Sequence, residues 1–394
     1  MPARASVYVH FPWCLAKCPY CDFVSYAAPR ESIDHAGYAD AVLRELDARA
    51  AHVTADVHSV FFGGGTPSLW EPRELGRVLA QIRARLRCSD DLEITVECNP
   101  TSLDRERAAM LHDVGVNRLS IGTQSLRADQ LKYLGRLHAP DGAIAAVRGA
   151  LESGMPRVST DLIFGLPDQT PEDAREQAVA LEALGLSHLS CYQLTIEPNT
   201  QFGQLAKRGR LPLADDGVVA EAFLAIDEAL GARGLAHNEI SNYAKPGEEA
   251  RHNLGYWRGD EYLGLGCAAY GFVRRTKPGI SIRYRNEIDP RKYVAKTHDV
   301  RRDLLGEGDR LSISSESLDG ETLLRERIML GLRLAGGFDL EACAQDLGVD
   351  AWTTSRERAA TRLVEQGKLT REAGHLAIPK RAWIWADDTS ARLF

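Results

Sequence analysis

Six apolar, β-branched runs recur along the chain with helical stretches between them, and this alternation restricts the fold more than any other feature. Val7–Phe11, Val57–Phe62, Leu92–Glu97, Arg118–Ile121, Val158–Phe164 and Leu189–Leu194 read as buried strands. The intervening stretches, among them Tyr38–Ala50, Pro72–Leu86 and Pro171–Leu184, read as helices. Further on, Val219, Phe223, Ile226 and Leu230 repeat at 4-3-4 spacing and make one apolar stripe. Strands alternating with helices imply an α/β fold, a parallel sheet with the helices outside it. Six units are too few for a full eight-unit barrel.

The pattern changes after the last unit. Arg275–Ile288 reads as a mixed polar connector. From about Leu318 the helices are short, Glu321–Leu334, Asp339–Leu347 and Ala351–Glu365, and strand-like pieces follow near Lys368–Thr370 and His375–Ile378. Three helices and a hairpin look like a small winged-helix domain. With no basic cluster set to face a groove, it reads as a packing or lid domain rather than a DNA reader. The expected division is 1–240, 241–310 and 311–394.

Composition sets outer limits. A chain of 394 residues, 44% hydrophobic and 26% charged, is long enough for one large and one small domain. Its net charge of −7 argues against nucleic acid as a partner. No apolar run approaches the ~18 residues of a membrane span. The start, Met-Pro-Ala-Arg-Ala-Ser, lacks the apolar core of a signal peptide, so the expected location is the cytoplasm, where thiols stay reduced.

Three of the eight cysteines are spaced C-x3-C-x2-C: Cys14, Cys18 and Cys21. A structural zinc site wants four protein ligands. Three thiolates suit a four-iron cluster with one iron left open, and this spacing suggests S-adenosylmethionine (SAM) on that iron. A zinc knuckle or a half-set of disulfides is the alternative. The other five, Cys88, Cys98, Cys191, Cys267 and Cys343, show no paired spacing and read as free thiols. The motifs fall where a parallel sheet binds ligands, at the carboxyl ends of its strands. The cysteine loop follows the first strand, Gly63, Gly64 and Gly65 follow the second, Glu97 ends the third and Gln124 lies just past the fourth. Glycines admit close approach of backbone to a ligand, and Glu97 is placed to accept from ribose hydroxyls. Lys17, inside the cysteine loop, would offset cluster charge or simply be solvated.

Taken in order, Phe61–Pro67, Glu97–Pro100, Arg118–Gln124, Leu134–His138 and Asp161–Pro167 make the chain resemble the radical SAM superfamily, in its oxygen-independent coproporphyrinogen III oxidase-like branch. His252-Asn-Leu-Gly-Tyr-Trp257 is similar to the H-N-x-x-Y-W signature of the heme chaperone subgroup. The resemblance spans essentially the whole chain. It implies a (β/α)6 partial barrel with a C-terminal winged-helix-like domain, a [4Fe-4S] cluster on Cys14, Cys18 and Cys21, and SAM. The implied SAM contacts are Tyr8, Tyr20, Gly64, Gly65, Thr66 and Glu97, with Gln124, Arg136 and Asp161 at positions that touch a second SAM in the oxidase. Arg136 is also the expected ion-pair partner of Asp161. Heme is the third implied cofactor, with His252 as axial ligand, Asn253 orienting it or bonding a propionate, and Tyr256 and Trp257 stacking on the porphyrin.

Two departures from the oxidase point the same way. Phe23 stands where the oxidase has a further cysteine, and only a short stretch precedes Cys14. The expected function is therefore heme binding and transfer to acceptor proteins such as respiratory hemoproteins, or exchange with a heme or iron donor. Radical chemistry is left open, as are peripheral membrane contact and a homodimer. The rivals are oxidative decarboxylation of coproporphyrinogen III and radical SAM methyl transfer.

Overall fold

The computed structural model describes residues 4–274, 281–300, 305 and 308–394. A twelve-stranded sheet runs through most of the chain. At its centre are six strands in sequence order, each parallel to its neighbours: β1 (Arg4–Phe11), β2 (Asp56–Gly64), β3 (Cys88–Cys98), β4 (Arg118–Gln124), β5 (Arg157–Phe164) and β6 (His188–Gln193). All six expected strands are present, most with ends extended by a few residues. The crossovers carry α1 (His35–Arg49), α2 (Pro72–Arg85), α3 (Arg105–Asp113), α4 (Ala128–Tyr133), α5 (Pro140–Glu152) and α6 (Pro171–Glu182). Local chemistry sets their starts. Asp34 accepts from Gly37 N ahead of α1, and Thr170 accepts from Asp173 N with Pro171 in the first turn of α6. Fully buried Val7, Val9, Val60, Phe62, Ile94, Val96, Leu119 and Ile121 belong to one core with helix residues such as Leu46, Val78 and Leu111.

Beyond β6 come α7 (Gln201–Lys207) and α8 (Asp216–Gly231). In α8, Val219, Ile226 and Leu230 are buried as their spacing requires, and Phe223 packs partly buried beside them. Two short antiparallel strands, β7 (Ala236–Glu239) and β8 (Asn242–Ala244), close that edge through pairing of β8 with β6. Helix α9 (Arg251–Arg258) then crosses to the other side, where β9 (Glu261–Leu265) lies parallel to β1. Antiparallel β10 (Tyr270–Arg274), β11 (Ser281–Asn286) and β12 (Ser312–Leu318) complete the sheet.

This corrects two expectations. Residues 275–280 of the expected connector lie outside the described residues, but Ser281–Asn286 is a ladder strand rather than a linker. The division drawn at 310 also falls inside the sheet, whose last strand ends at Leu318. A buried ion network explains why so polar a segment is held. Arg49 of α1 donates to Glu45 Oε1 at 2.5 Å, Asn286 Oδ1 at 2.7 Å and Asp309 Oδ2 at 2.6 Å. Removing one partner of such a buried set costs about 3–5 kcal/mol.

The C-terminal segment has its own core, including Leu324, Ile328, Leu340, Leu363, Leu376 and Trp383. Helices Gly320–Gly331, Leu340–Leu347 and Thr354–Glu365 surround a small sheet of Phe338–Asp339, His375–Ala377 and Thr370–Glu372. The third helix starts at Thr354 because Thr353 caps it, accepting from Arg356 N. Backbone bonds from Ile240 N to Arg333 O (3.0 Å) and from Ala335 N to Asn238 O (3.1 Å) fasten this domain to the β7 edge.

Candidate cluster and cofactor pocket

At the carboxyl ends of the parallel strands lies a cavity of about 390 Å³. Parallel strands deliver their ends to one rim, so residues far apart in sequence meet there. Cys14, Cys18, Cys21, Tyr20, Gly64, Gly65, Thr66, Glu97, Gln124, Arg136 and Asp161 all line it, as the sequence reading expects. Tyr8 does not. It sits deeper, its hydroxyl 3.0 Å from His10 Nδ1 and its ring 6.3 Å from that of Phe61.

The donor set suits a polynuclear thiolate cluster. All three thiols are free and half-buried. Burial pushes the Cys14 thiol above its ordinary range and that of Cys21 up to about 11. Iron must therefore displace protons to bind. The surrounding donors help: Thr66 Oγ1 donates to Cys14 Sγ at 3.3 Å and Arg136 Nη1 to Cys18 Sγ at 3.4 Å. Lys17 plays a local part, donating from its exposed chain to Phe23 O at 3.0 Å and closing the loop on itself.

Two carboxylates sit across the cavity. Burial first, then the charge of Asp161, raises Glu97 to about 8 against a bond from Gly64 N at 3.1 Å. Asp161 is also pushed up by burial. The pair therefore tends to keep a proton at neutral pH. Arg136 is not the ion-pair partner expected for Asp161. Its second arm donates to Gly122 O at 2.9 Å, while Asp161 accepts from Ser120 Oγ at 3.1 Å. Position along the strands decides this, since Ser120 pairs in register with Ser159 on the next strand, two residues before Asp161.

The glycines serve packing as well as access. Gly64 has φ +110°, and a Cβ there would lie 2.5 Å from the His10 ring. At Gly65 it would lie 2.6 Å from Trp13 O, and at Gly63 2.9 Å from Phe61 and Tyr8. Gln124 also has a positive φ, 65°, an uncommon conformation for a non-glycine residue, at the lip of the cavity.

Sequence reasoning missed one wall. Tyr192, Gln193, Leu194, Thr195 and Glu197, from the end of β6 and its loop, complete the lining, with Ser120, Gly122 and Ile163. The strand-end rule applied to β6 would have found the first of them, and alternation along β4 and β5 the inward Ser120, Gly122 and Ile163. Phe23 is 57% exposed at the mouth.

The expected heme residues lie elsewhere. Helix α9 closes the opposite, amino-end side of the strands. His252 is 2% exposed. Its Nδ1 lies 3.0 Å from Ser59 Oγ and its Nε2 3.2 Å from Tyr256 Oη, while its backbone N donates to Glu93 Oε1 at 3.1 Å. The ring stacks on Phe61 at 4.8 Å. Burial lowers His252 to about 3, so it is neutral. Tyr256, not Asn253, is the histidine's partner, and the Tyr256 ring stands edge-on to His252 and Tyr262, each at 4.8 Å. Trp257 lies under the Arg333 guanidinium at 5.5 Å. Asn253 is half-buried.

Among known proteins, residues 8–178 match the radical SAM superfamily and residues 318–385 match the HemN C-terminal domain. The heme chaperone HemW of Escherichia coli (strain K12) is 43% identical over 270 residues, 68% of this chain and 70% of that protein. HemW of Mycobacterium tuberculosis (strain ATCC 25618 / H37Rv) is 34% identical over 391 residues, 98% of this chain and 94% of its own length. Among solved structures, coproporphyrinogen III oxidase (HemN) of Escherichia coli superposes with a TM-score of 0.81 over 100% of this chain and 90% of that one. At 18% identity this likeness establishes the fold alone. The (β/α)6 reading and the small C-terminal domain agree with these matches.

Proposed function

Because this chain belongs to the HemW family of heme chaperones within the radical SAM superfamily, we propose that it binds heme and passes it to acceptor proteins, alongside a SAM-liganded [4Fe-4S] cluster on Cys14, Cys18 and Cys21. Similarity over 98% of the chain to a heme chaperone carries this reading. Three-thiolate ligation would leave one iron free to hold SAM and to pass it an electron. Tyr20, Gly64, Gly65, Thr66 and Glu97 line the side of the cavity next to the thiols and would hold the SAM amino acid and ribose. Gln124, Arg136 and Asp161 line the same cavity and would touch a second SAM if one binds. Tyr8 would act through His10, which bonds Val24 O at 2.8 Å just past the cysteine loop.

His252 is the proposed heme-iron ligand, with Asn253, Tyr256 and Trp257 around it. Both of its ring nitrogens are engaged, so ligation there needs α9 to lift from the strands. Heme loading is then an opening step, and release to an acceptor is the reverse. Respiratory hemoproteins are the proposed acceptors and the cytoplasm the proposed site of action, in keeping with free thiols. Among the described residues, no helix is long and apolar enough to cross a membrane. Coproporphyrinogen decarboxylation is the weaker reading, since the oxidase likeness is one of fold and function lives in sites.

The test is a transfer assay on anaerobically reconstituted protein. Hemin-loaded chain is mixed with an apo-hemoprotein and the acceptor spectrum followed; a parallel sample receives coproporphyrinogen III, SAM and reductant. Heme transfer without porphyrinogen turnover supports the chaperone. Multiple turnovers to protoporphyrinogen IX would overturn it.

A further inference from the structure

A second cavity, of about 380 Å³, lies in the seam between the barrel edge and the C-terminal domain. Its size falls within the roughly 300–1,000 Å³ of small-molecule sites. The cluster pocket does not use it. The barrel side contributes Phe164 and Phe223, and the C-terminal side Trp383 and Trp385. Each is held differently. Phe164 is buried at the end of β5, and Trp383 is anchored by its Nε1 donating to Ile378 O at 2.9 Å. Trp385 is 46% exposed at the lip. Aromatic rings offered from two separate domains suit a flat, apolar guest.

The lip carries exchangeable charge. Lys368 lies 5.3 Å over the Trp385 ring and donates to Asp388 Oδ2 at 3.3 Å, and Arg392 donates to the same carboxylate at 3.0 Å. Two cations sharing one exposed aspartate can take a guest's carboxylates in its place at little cost, because exposed ion pairs are weak. The seam is also wired to the heme-signature helix. Arg333 donates to Asp387 Oδ1 at 2.9 Å, accepts from Ile240 N at 3.0 Å, and covers Trp257 of α9. Asp387 and Ile240 both line the cavity.

We propose that this seam is a tetrapyrrole-binding site, with Phe223, Trp383 and Trp385 against the macrocycle and Lys368 and Arg392 on its propionates. It rests on the heme-chaperone reading and deepens it. In the closed arrangement, where His252 is sealed beneath the barrel, the seam is where heme is held. Arg333 then reports its presence to α9 through Trp257.

The probes are hemin and iron-free protoporphyrin IX, titrated into the full-length chain and followed by tryptophan fluorescence quenching and Soret absorbance. Stacking and propionate contacts need no iron, so both porphyrins should bind with comparable affinity. Trp385→Ala removes a wall and Ala220→Trp fills the cavity from α8. Each should weaken both porphyrins at least tenfold, with far-UV circular dichroism and cluster iron content as in the wild type. Wild-type affinity in both variants would overturn the seam site. So would binding of hemin but not protoporphyrin IX, together with loss of hemin in His252→Ala. Either result leaves the chaperone reading standing, and the second assigns the heme to His252. Failure of the wild type to bind hemin at all would sink the chaperone reading and the seam together.

Discussion

The two ends of the barrel treat polar groups in opposite ways. At the carboxyl ends, thiols and carboxylates line an open cavity with few bonds of their own, and Glu97 rises to about 8 because little offsets its burial. At the amino ends, His252 has both ring nitrogens engaged, and Glu93 accepts from Arg157 at 2.8 Å and from His252 N at 3.1 Å. A polar group with few partners beside a cavity is open to a ligand, whereas one fully bonded inside the fold is held for stability until something displaces its partners. The mouth is open. The floor is shut.

The sharpest break between the two ends is at the cysteines. Cys18→Ala should lose the cluster entirely while the thermal midpoint of the apo chain stays within a few degrees of wild type. Cys98→Ala and Cys191→Ala should keep the cluster. Iron counting and absorbance after anaerobic reconstitution decide it, and a full cluster in Cys18→Ala would refute the assignment.

At the floor the effect should fall on stability. Glu93→Ala leaves Arg118 and Arg157 without their buried carboxylate, at a cost of about 3–5 kcal/mol. Urea unfolding of the apo protein measures it; a loss under about 1 kcal/mol would mean the floor is not the closed, fully paired region described.

Acid should open the floor. At the floor His252 is lowered to about 3, and at the mouth His10 to about 4, so the folded state binds fewer protons than the unfolded chain below pH 6.5. Stability is then full above about pH 6.5 and falls as pH drops toward 4, by up to about 1.4 kcal/mol per pH unit for each such histidine. Thermal midpoints from pH 8 to pH 4.5 test this, with His252→Gln flattening the slope. An equal slope in that variant would remove His252 from the account.

The smallest change is Tyr256→Phe. It frees His252 Nε2 of one hydrogen bond, worth about 0.5–1.5 kcal/mol. Hemin affinity should rise a fewfold if the closed floor restrains ligation, and a drop would show that Tyr256 holds heme rather than guarding against it.

Much of the mouth was legible in the linear chain. Its cysteine spacing, its glycines and Glu97 are local features at strand ends, and a parallel sheet brings all strand ends to one rim. The wall from Tyr192 to Glu197 was missed because nothing in its composition sets it apart. Arg136 was assigned to Asp161 by charge alone, but strand register put Ser120 beside the aspartate, and the loop after α4 carries Arg136 to the Cys18 thiol.

Alternation of apolar runs and helices determined, without any structure, the α/β class, the six parallel strands and the edge that would carry the chemistry, because these depend on periodicities of a few residues. Tertiary structure alone decided that polar Ser281–Asn286 is a strand, held by Arg49 from far away in the chain. It also decided that His252 lies inward and sealed. Periodicity places a residue on a face of its helix; which neighbour covers that face is settled only when distant segments pack, and for His252 the cover is Ser59, Phe61 and Tyr256.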